Sequence, residues 1–411
     1  MSIDKKLIYF YVTRYTMQHR FLLALLFLSL LFLNSCGSSG SSQESVSYFP
    51  VEEKQFLHTL FQTEYLWYDQ VAQEVDYSSF ETPQSMIDAL RVYPPDRWSF
   101  TLTQQQYEDR VNQKTAGFGF GYTLDDFTIY MVRIDAPAYG KLYRGDKIVE
   151  VNGEPASHEN IAAASDSLNV PATFTLLRGT EEIDVTVTPQ EYSFKVTEGK
   201  VISLHNGEKV GYLRYDSFTS TSVEEFEATF TSFKNSSIND LVIDLRYNGG
   251  GSVSVASNLL DNISRIHPGE RQVYLDWNEN YKQNNESYYF SDEADSNDLN
   301  MSRVFFLVTQ QSASASELVI SALKPYLGES NVITIGSHTH GKPVGMYGRV
   351  YGNDYYFLIN FFVRNNAGET TSFEGIPATC MAEDDLGHLR GDENETMLKS
   401  ALYYIENNVC P

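Results

Sequence analysis

Val304-Phe-Phe-Leu-Val308, then Ser312-Ala-Ser314-Ala-Ser316-Glu317, then Leu318-Val-Ile-Ser-Ala-Leu323 form one continuous passage from an apolar run through a serine-rich turn into a second apolar run. The first run reads as a buried strand and the second as the start of a helix, which places the serines at a strand-to-helix junction. A hydroxyl held there lies near unpaired N–H groups and the positive end of a helix, both of which favour an oxyanion. Ser314-x-x-Glu317 is also a capping box, so local sequence alone leaves nucleophile and cap as competing roles for Ser314.

Working outward, Leu241-Val-Ile-Asp244-Leu-Arg246-Tyr-Asn248-Gly249-Gly250-Gly251 is a second apolar strand, ending in three glycines before another helical run. Glycines let backbone approach closely and aim N–H groups at a ligand. The turn lacks the Lys-Ser/Thr ending of a nucleotide-binding loop and the spacing of a dinucleotide fingerprint. Downstream, Gly336-Ser-His-Thr-His340-Gly341-Lys342-Pro343-Val-Gly345 reads as a cramped loop after a third strand. A lysine buried on such a loop sheds its proton more readily, and a neutral amine can accept one from serine; the alternative is an ordinary surface lysine. His338 and His340 have no third ligand nearby, so no metal site is expected; His340 with Asp244 is the other base arrangement the residues permit.

From residue 192 onward, apolar strands near 210–214, 241–245 and 304–308 alternate with helices at 223–233, up to 263 and from 316. This predicts an α/β layer with a largely parallel sheet and both loops at strand C-terminal ends. The stretch 276–300 is polar and asparagine-rich and reads as a surface insertion.

Lys209-Val-Gly-Tyr-Leu-Arg-Tyr-Asp-Ser-Phe218, the glycine turn, the Ser-Ala-Ser-Ala-Ser-Glu run and Gly341-Lys342 together resemble the carboxyl-terminal processing, or tail-specific, serine peptidases. The resemblance implies Ser314 as nucleophile, Lys342 as base, and an oxyanion hole from the backbone N–H of Ala315 and one of Gly250 or Gly251. Ser312 and Ser316 are left as structural hydroxyls. Two departures stand out: Asn-Gly-Gly-Gly replaces the usual Asn-Pro-Gly-Gly, and Met346 stands where many members carry a glutamine that supports the dyad.

Before this region, Ala116-Gly117-Phe118-Gly119-Phe120-Gly-Tyr122 and Tyr143-Arg144-Gly-Asp146-Lys-Ile-Val-Glu-Val-Asn152-Gly153 resemble a PDZ domain, with the Gly117, Phe118, Gly119, Phe120 loop as its peptide-binding segment. Earlier still, Phe56, Leu57, Leu60, Phe61, Tyr65 and Leu66 recur at helical spacing, and Asp96-Arg97-Trp98-Ser99-Phe100 resembles the amino-terminal cap of some family members. The expected class is therefore multidomain α+β: a helical N-terminal domain (50–112), a PDZ-like β-rich module (113–191) and an α/β peptidase domain (192–411).

Residues 1–35 read as a lipoprotein signal peptide: basic residues precede an apolar run at 21–33 that is short for a membrane span, and Asn34-Ser-Cys36 follows it. Cys36 would carry the lipid and 36–49 would form a Gly/Ser linker, so the protein is expected to be exported and anchored in a bacterial cell envelope. A net charge of −24 becomes −27 once four Lys/Arg and one Asp leave with that signal, which excludes a nucleic-acid partner. Cys380 and Cys410 are expected to pair in an exported protein, with two buried thiols as the alternative. Polypeptide tails are the implied substrate and no cofactor is called for. The competing function is a peptide-binding scaffold that keeps the peptidase fold without its chemistry.

Overall fold

The computed structural model describes residues 49–264, 267–292 and 298–411. The signal peptide, Cys36 and nearly all of the linker fall within 1–48, outside the described residues. Among the described residues no helix is long and apolar enough to cross a membrane.

The passage at 304–323 folds as its pattern predicts: strand Val304–Val308 is buried throughout and helix Ala315–Leu327 follows. The central sheet has six strands, in the order Thr197–Ser203, Lys209–Tyr215, Asp240–Asp244, Val304–Val308, Val332–Gly336 and Cys380–Met381. All neighbours are parallel except the first pair. Its continuous apolar strands suit burial on both faces: helices Ser222–Ser236, Val253–Ile263 and Ala315–Leu327 cover one, while Thr396–Asn407 packs on the other through Met397, Leu398 and Ala401. Cys380 and Cys410 form a disulfide across that last helix.

A second, antiparallel sheet stands beside the first and shares its core. Its long strand Asp354–Asn365 pairs with Val344–Tyr351, Arg271–Trp277 and Phe100–Thr103. The N-terminal segment is thus more than a helical cap. Besides helices Val51–Thr63, Pro83–Leu90 and Gln104–Val111, it contributes a strand, because alternating Phe100 and Leu102 pack against the shared core. The polar stretch at 276–300 likewise contributes a strand, Glu286–Tyr289, which pairs along Arg271–Trp277.

Residues 114–193 form a small β-rich unit with its own core of Phe118, Ile129, Ile148, Phe174 and Leu176 around helix His158–Asp166. Phe118 is 3% exposed, and Phe118 and Phe120 both pack on Phe174. Phe118 thus lies in the core of this unit, while Phe120 is half-buried and packs against that core.

Candidate active site

Ser314 occupies a strained turn. Its φ of 58° and ψ of −110° are costly for a residue with a Cβ, and such strain persists only where the surroundings enforce it. The flanking residues supply that enforcement. Ser312 Oγ donates to Leu245 O (2.7 Å), Ser316 Oγ donates to Asn248 O (2.8 Å), and Ala313 N donates to the same Asn248 carbonyl (3.0 Å). The two outer serines fasten the Ser314 turn to the glycine turn and leave the half-buried middle hydroxyl on the cavity wall.

The glycine turn makes its contact at Gly250. With φ at +100°, a methyl group there would lie 2.8 Å from Ala313 O and 2.9 Å from both Ala315 N and Ser314 Cβ. The Gly250 N–H itself donates to Asn248 Oδ1 (2.9 Å), so this amide is turned away from the oxyanion role that the sequence offered it. Gly251 pairs with Phe218 through hydrogen bonds on its neighbours, Phe218 N to Gly250 O and Ser252 N to Phe218 O, which leaves the Gly251 and Ala315 amides as the candidate donors. Gly250→Ala is expected to fold but to lose activity on the order of 100-fold, because the added methyl pushes against backbone that carries both Ser314 and the Ala315 amide. Steady-state peptide cleavage checks this.

Glu317 joins the serine turn to the lysine loop. Its Oε2 accepts from Ser314 N (2.8 Å) and Lys342 N (2.9 Å), while Oε1 accepts from Gly341 N (2.7 Å) and Thr339 Oγ1 (2.6 Å). The Glu317 contact to Ser314 is the one a capping box requires. Sequence alone did not signal that the same carboxylate reaches the lysine loop. Burial raises the Glu317 pKa, and these hydrogen bonds oppose the rise.

Lys342 is 3% exposed and lines the same cavity as Ser314, with Leu318, Val273 and Val363 among its apolar walls. Burial drives its pKa well below that of a free lysine, against the opposing pull of Asp96 and Glu317. The indole of Trp98 covers it, with Nζ 5.2 Å from the ring centroid. A cation–π contact favours the charged form by about 1–2 kcal/mol, roughly one pH unit, whereas burying an ammonium opposes it by about 3–5 pH units, so burial dominates.

His340 is committed elsewhere. Its Nε2 accepts from Trp98 Nε1 (3.0 Å), which puts the proton on Nδ1, 3.2 Å from Gln310 O. Burial lowers its pKa and nearby Arg97 and Lys342 add to the effect. Asp244 is also unavailable to pair with it. Burial by itself would raise the Asp244 pKa, but Arg246 and Arg390 outweigh it and hold the carboxylate far below its usual range. Arg246, itself at 0% exposure, bridges Asp244, Glu395 and Asp384 directly beneath the glycine turn. The exposed His338 ring meets the Gln310 side chain at the surface (2.8 Å), and no cluster of three or more metal-binding side chains occurs among the described residues.

Residues 209–376 match the model of peptidase family S41, and residues 52–100 match that of the peptidase S41 N-terminal domain, together just over half of the sequence. The chain belongs to peptidase family S41. This S41 chain is 29% identical over 280 residues to a CtpA-like serine protease of Staphylococcus aureus strain bovine RF122, covering 65% of this chain and 53% of that one. It is 25% identical over 223 residues to the chloroplastic carboxyl-terminal-processing peptidase 3 of Arabidopsis thaliana, covering 49% and 39%. It thus spans about half the length, or less, of these relatives. An S41 protease structure from Bacteroides fragilis superposes with a TM-score of 0.75 at 24% identity, covering 86% of this chain and 97% of that one, which shows a shared fold.

Proposed function

We propose that the protein is a serine endopeptidase of the carboxyl-terminal processing type working through a Ser314/Lys342 dyad. The observation that carries this reading is the single oxygen of Glu317 that holds the backbones of both residues, with their side chains lining one cavity. Neutral Lys342 takes the proton of Ser314 as Oγ attacks the scissile carbonyl, and the Ala315 amide, with Gly251, receives the oxyanion. The lysine ammonium then protonates the leaving amine, which departs and leaves an acyl-enzyme. Water attacks next, giving its proton to Lys342, and Ser314 recovers a proton as the acid product leaves.

The β-rich unit is proposed to present the substrate. Its strand Phe120–Tyr122 pairs with Ile129–Val132 in a two-stranded sheet, an arrangement to which an extended tail can add as a third strand. Export and a lipid on Cys36 belong to the same reading and are supported by the sequence before residue 49. The buried Met346, at 0% exposure where many relatives have glutamine, favours the second reading of a binding protein without chemistry.

A fluorophosphonate that labels wild type supports the peptidase, while bound tail peptides without labelling or cleavage support the binder. The sign of the pH dependence is fixed by the base. A protonated Lys342 cannot accept from Ser314, so labelling is expected to rise with pH through its depressed pKa and then level off. Unfolded chains hold this lysine protonated where the folded protein does not, so stability also rises with pH over that window. Lys342→Met is therefore expected to be inactive yet more stable than wild type at neutral pH, by urea denaturation.

A further inference from the structure

Trp98 lies 242 positions before the residue it bonds, on the segment that joins the N-terminal helices to strand Phe100–Thr103. Its place is built rather than incidental. Asp96, fully buried, accepts from Trp98 N (2.9 Å) and Ser99 N (3.0 Å) with Oδ1, and from Tyr65 Oη (2.8 Å) and Ser99 Oγ (2.6 Å) with Oδ2. This fixes the turn that points the indole at the lysine loop. One face of the ring stacks near Phe373 at 6.2 Å and 18°. Its N–H reaches His340, two residues from Lys342, whose Nζ lies 5.2 Å from the ring.

We propose that Trp98 is a positioning residue supplied by the N-terminal segment: its indole shields Lys342 from water and clamps His340, holding the base toward the cavity that Ser314 lines. This rests on the peptidase reading above. It also accounts for a base that works without the side-chain amide replaced by Met346, since the lysine loop is instead held from the N-terminal side. The charged and titratable groups around Lys342 include Asp96 from that segment, Glu317 from helix Ala315–Leu327, His340 on its own loop, and Arg97, whose guanidinium lies 4.9 Å from the indole. Asp96 and Glu317 both favour the ammonium, so burial, to which the indole cover contributes, is what keeps the amine neutral.

The test is the rate of fluorophosphonate labelling of Ser314 against pH in wild type, Trp98→Ala and Trp98→Phe. Opening the cover in Trp98→Ala lets water reach the ammonium. The midpoint of its profile should rise by about one pH unit or more, which is about tenfold slower labelling at neutral pH, with the wild-type rate recovered in alkali. Trp98→Phe keeps an apolar cover without the N–H and should shift less. An unmoved midpoint in folded Trp98→Ala overturns the proposal, as does a uniform loss at every pH, which is what a merely structural residue would give. Should Trp98→Ala fail to fold, Trp98→Gln retains bulk but brings a polar group and water to the lysine, and is read by the same criteria. A wild type that never labels removes the peptidase reading and the proposal with it, and is recognised before any variant is compared.

Discussion

Ser314→Ala is expected to abolish fluorophosphonate labelling and to lower peptide cleavage by a factor on the order of 10⁴ or more, while leaving the fold intact. The size follows from the absence of a substitute. Ser312 and Ser316 flank the position, but each donates its hydroxyl proton to a backbone carbonyl of the glycine turn, and each is buried at 0% exposure. Neither can rotate into the cavity without breaking the link that shapes the turn. Binding of tail peptides should survive, because Ser314 supplies no contact to the β-rich unit. Labelling and calorimetric peptide binding on the same preparations separate the two effects. Labelling that persists in Ser314→Ala would place the nucleophile elsewhere.

The second large effect is on stability. Arg246 is shared by three carboxylates, two of which, Asp244 and Glu395, are fully buried like the guanidinium itself. Arg246→Met leaves those charges short of a partner in a place water does not reach, and the expected cost is about 3–5 kcal/mol. Urea denaturation measures it. Arg246→Lys should recover only part, since an ammonium cannot offer the fork that spans Asp244 and Glu395 at once. The network also sets an acid limit. Asp244 and Asp384, and Asp216, which joins through Arg390 and also pairs with Arg214, all have pKa values lowered in the folded state, so their stabilisation is present above the ordinary aspartate pKa and is lost as pH falls below it, from about 4 downward.

The parallel sheet, the strand-to-helix serine turn and the lysine loop were legible because each is encoded by neighbours in sequence: apolar runs of five residues, glycines at tight turns, and a serine set against a helix start. Other features of the site were not. Glu317 reads locally as a cap, and nothing within a window of that size says its second oxygen meets Thr339 and Gly341. Asp96 and Trp98 read as packing in a helical domain, since an indole that shields a lysine far along the chain leaves no periodic trace. The direction of the Gly250 N–H was likewise invisible, because it is set by the side chain of Asn248 in the folded turn. At Phe118 and Phe120 the sequence was ambiguous: a glycine-aromatic loop has the composition of a ligand site and of a small core alike, and a Phe118 side chain in the core still leaves the loop backbone for a peptide.

The closure of the site across the chain has a consequence for when the protein can act. The Ser314 turn is supported from residues near 245, Lys342 from residue 98, and the arginine under the glycine turn from Glu395, in the residues just before the last helix. A partly synthesised polypeptide therefore possesses the reactive serine well before it possesses the surroundings that make it reactive. On the proposed peptidase reading, Arg246 gains its Glu395 partner only when that last segment docks, so the support beneath the glycine turn is the part of the site completed last.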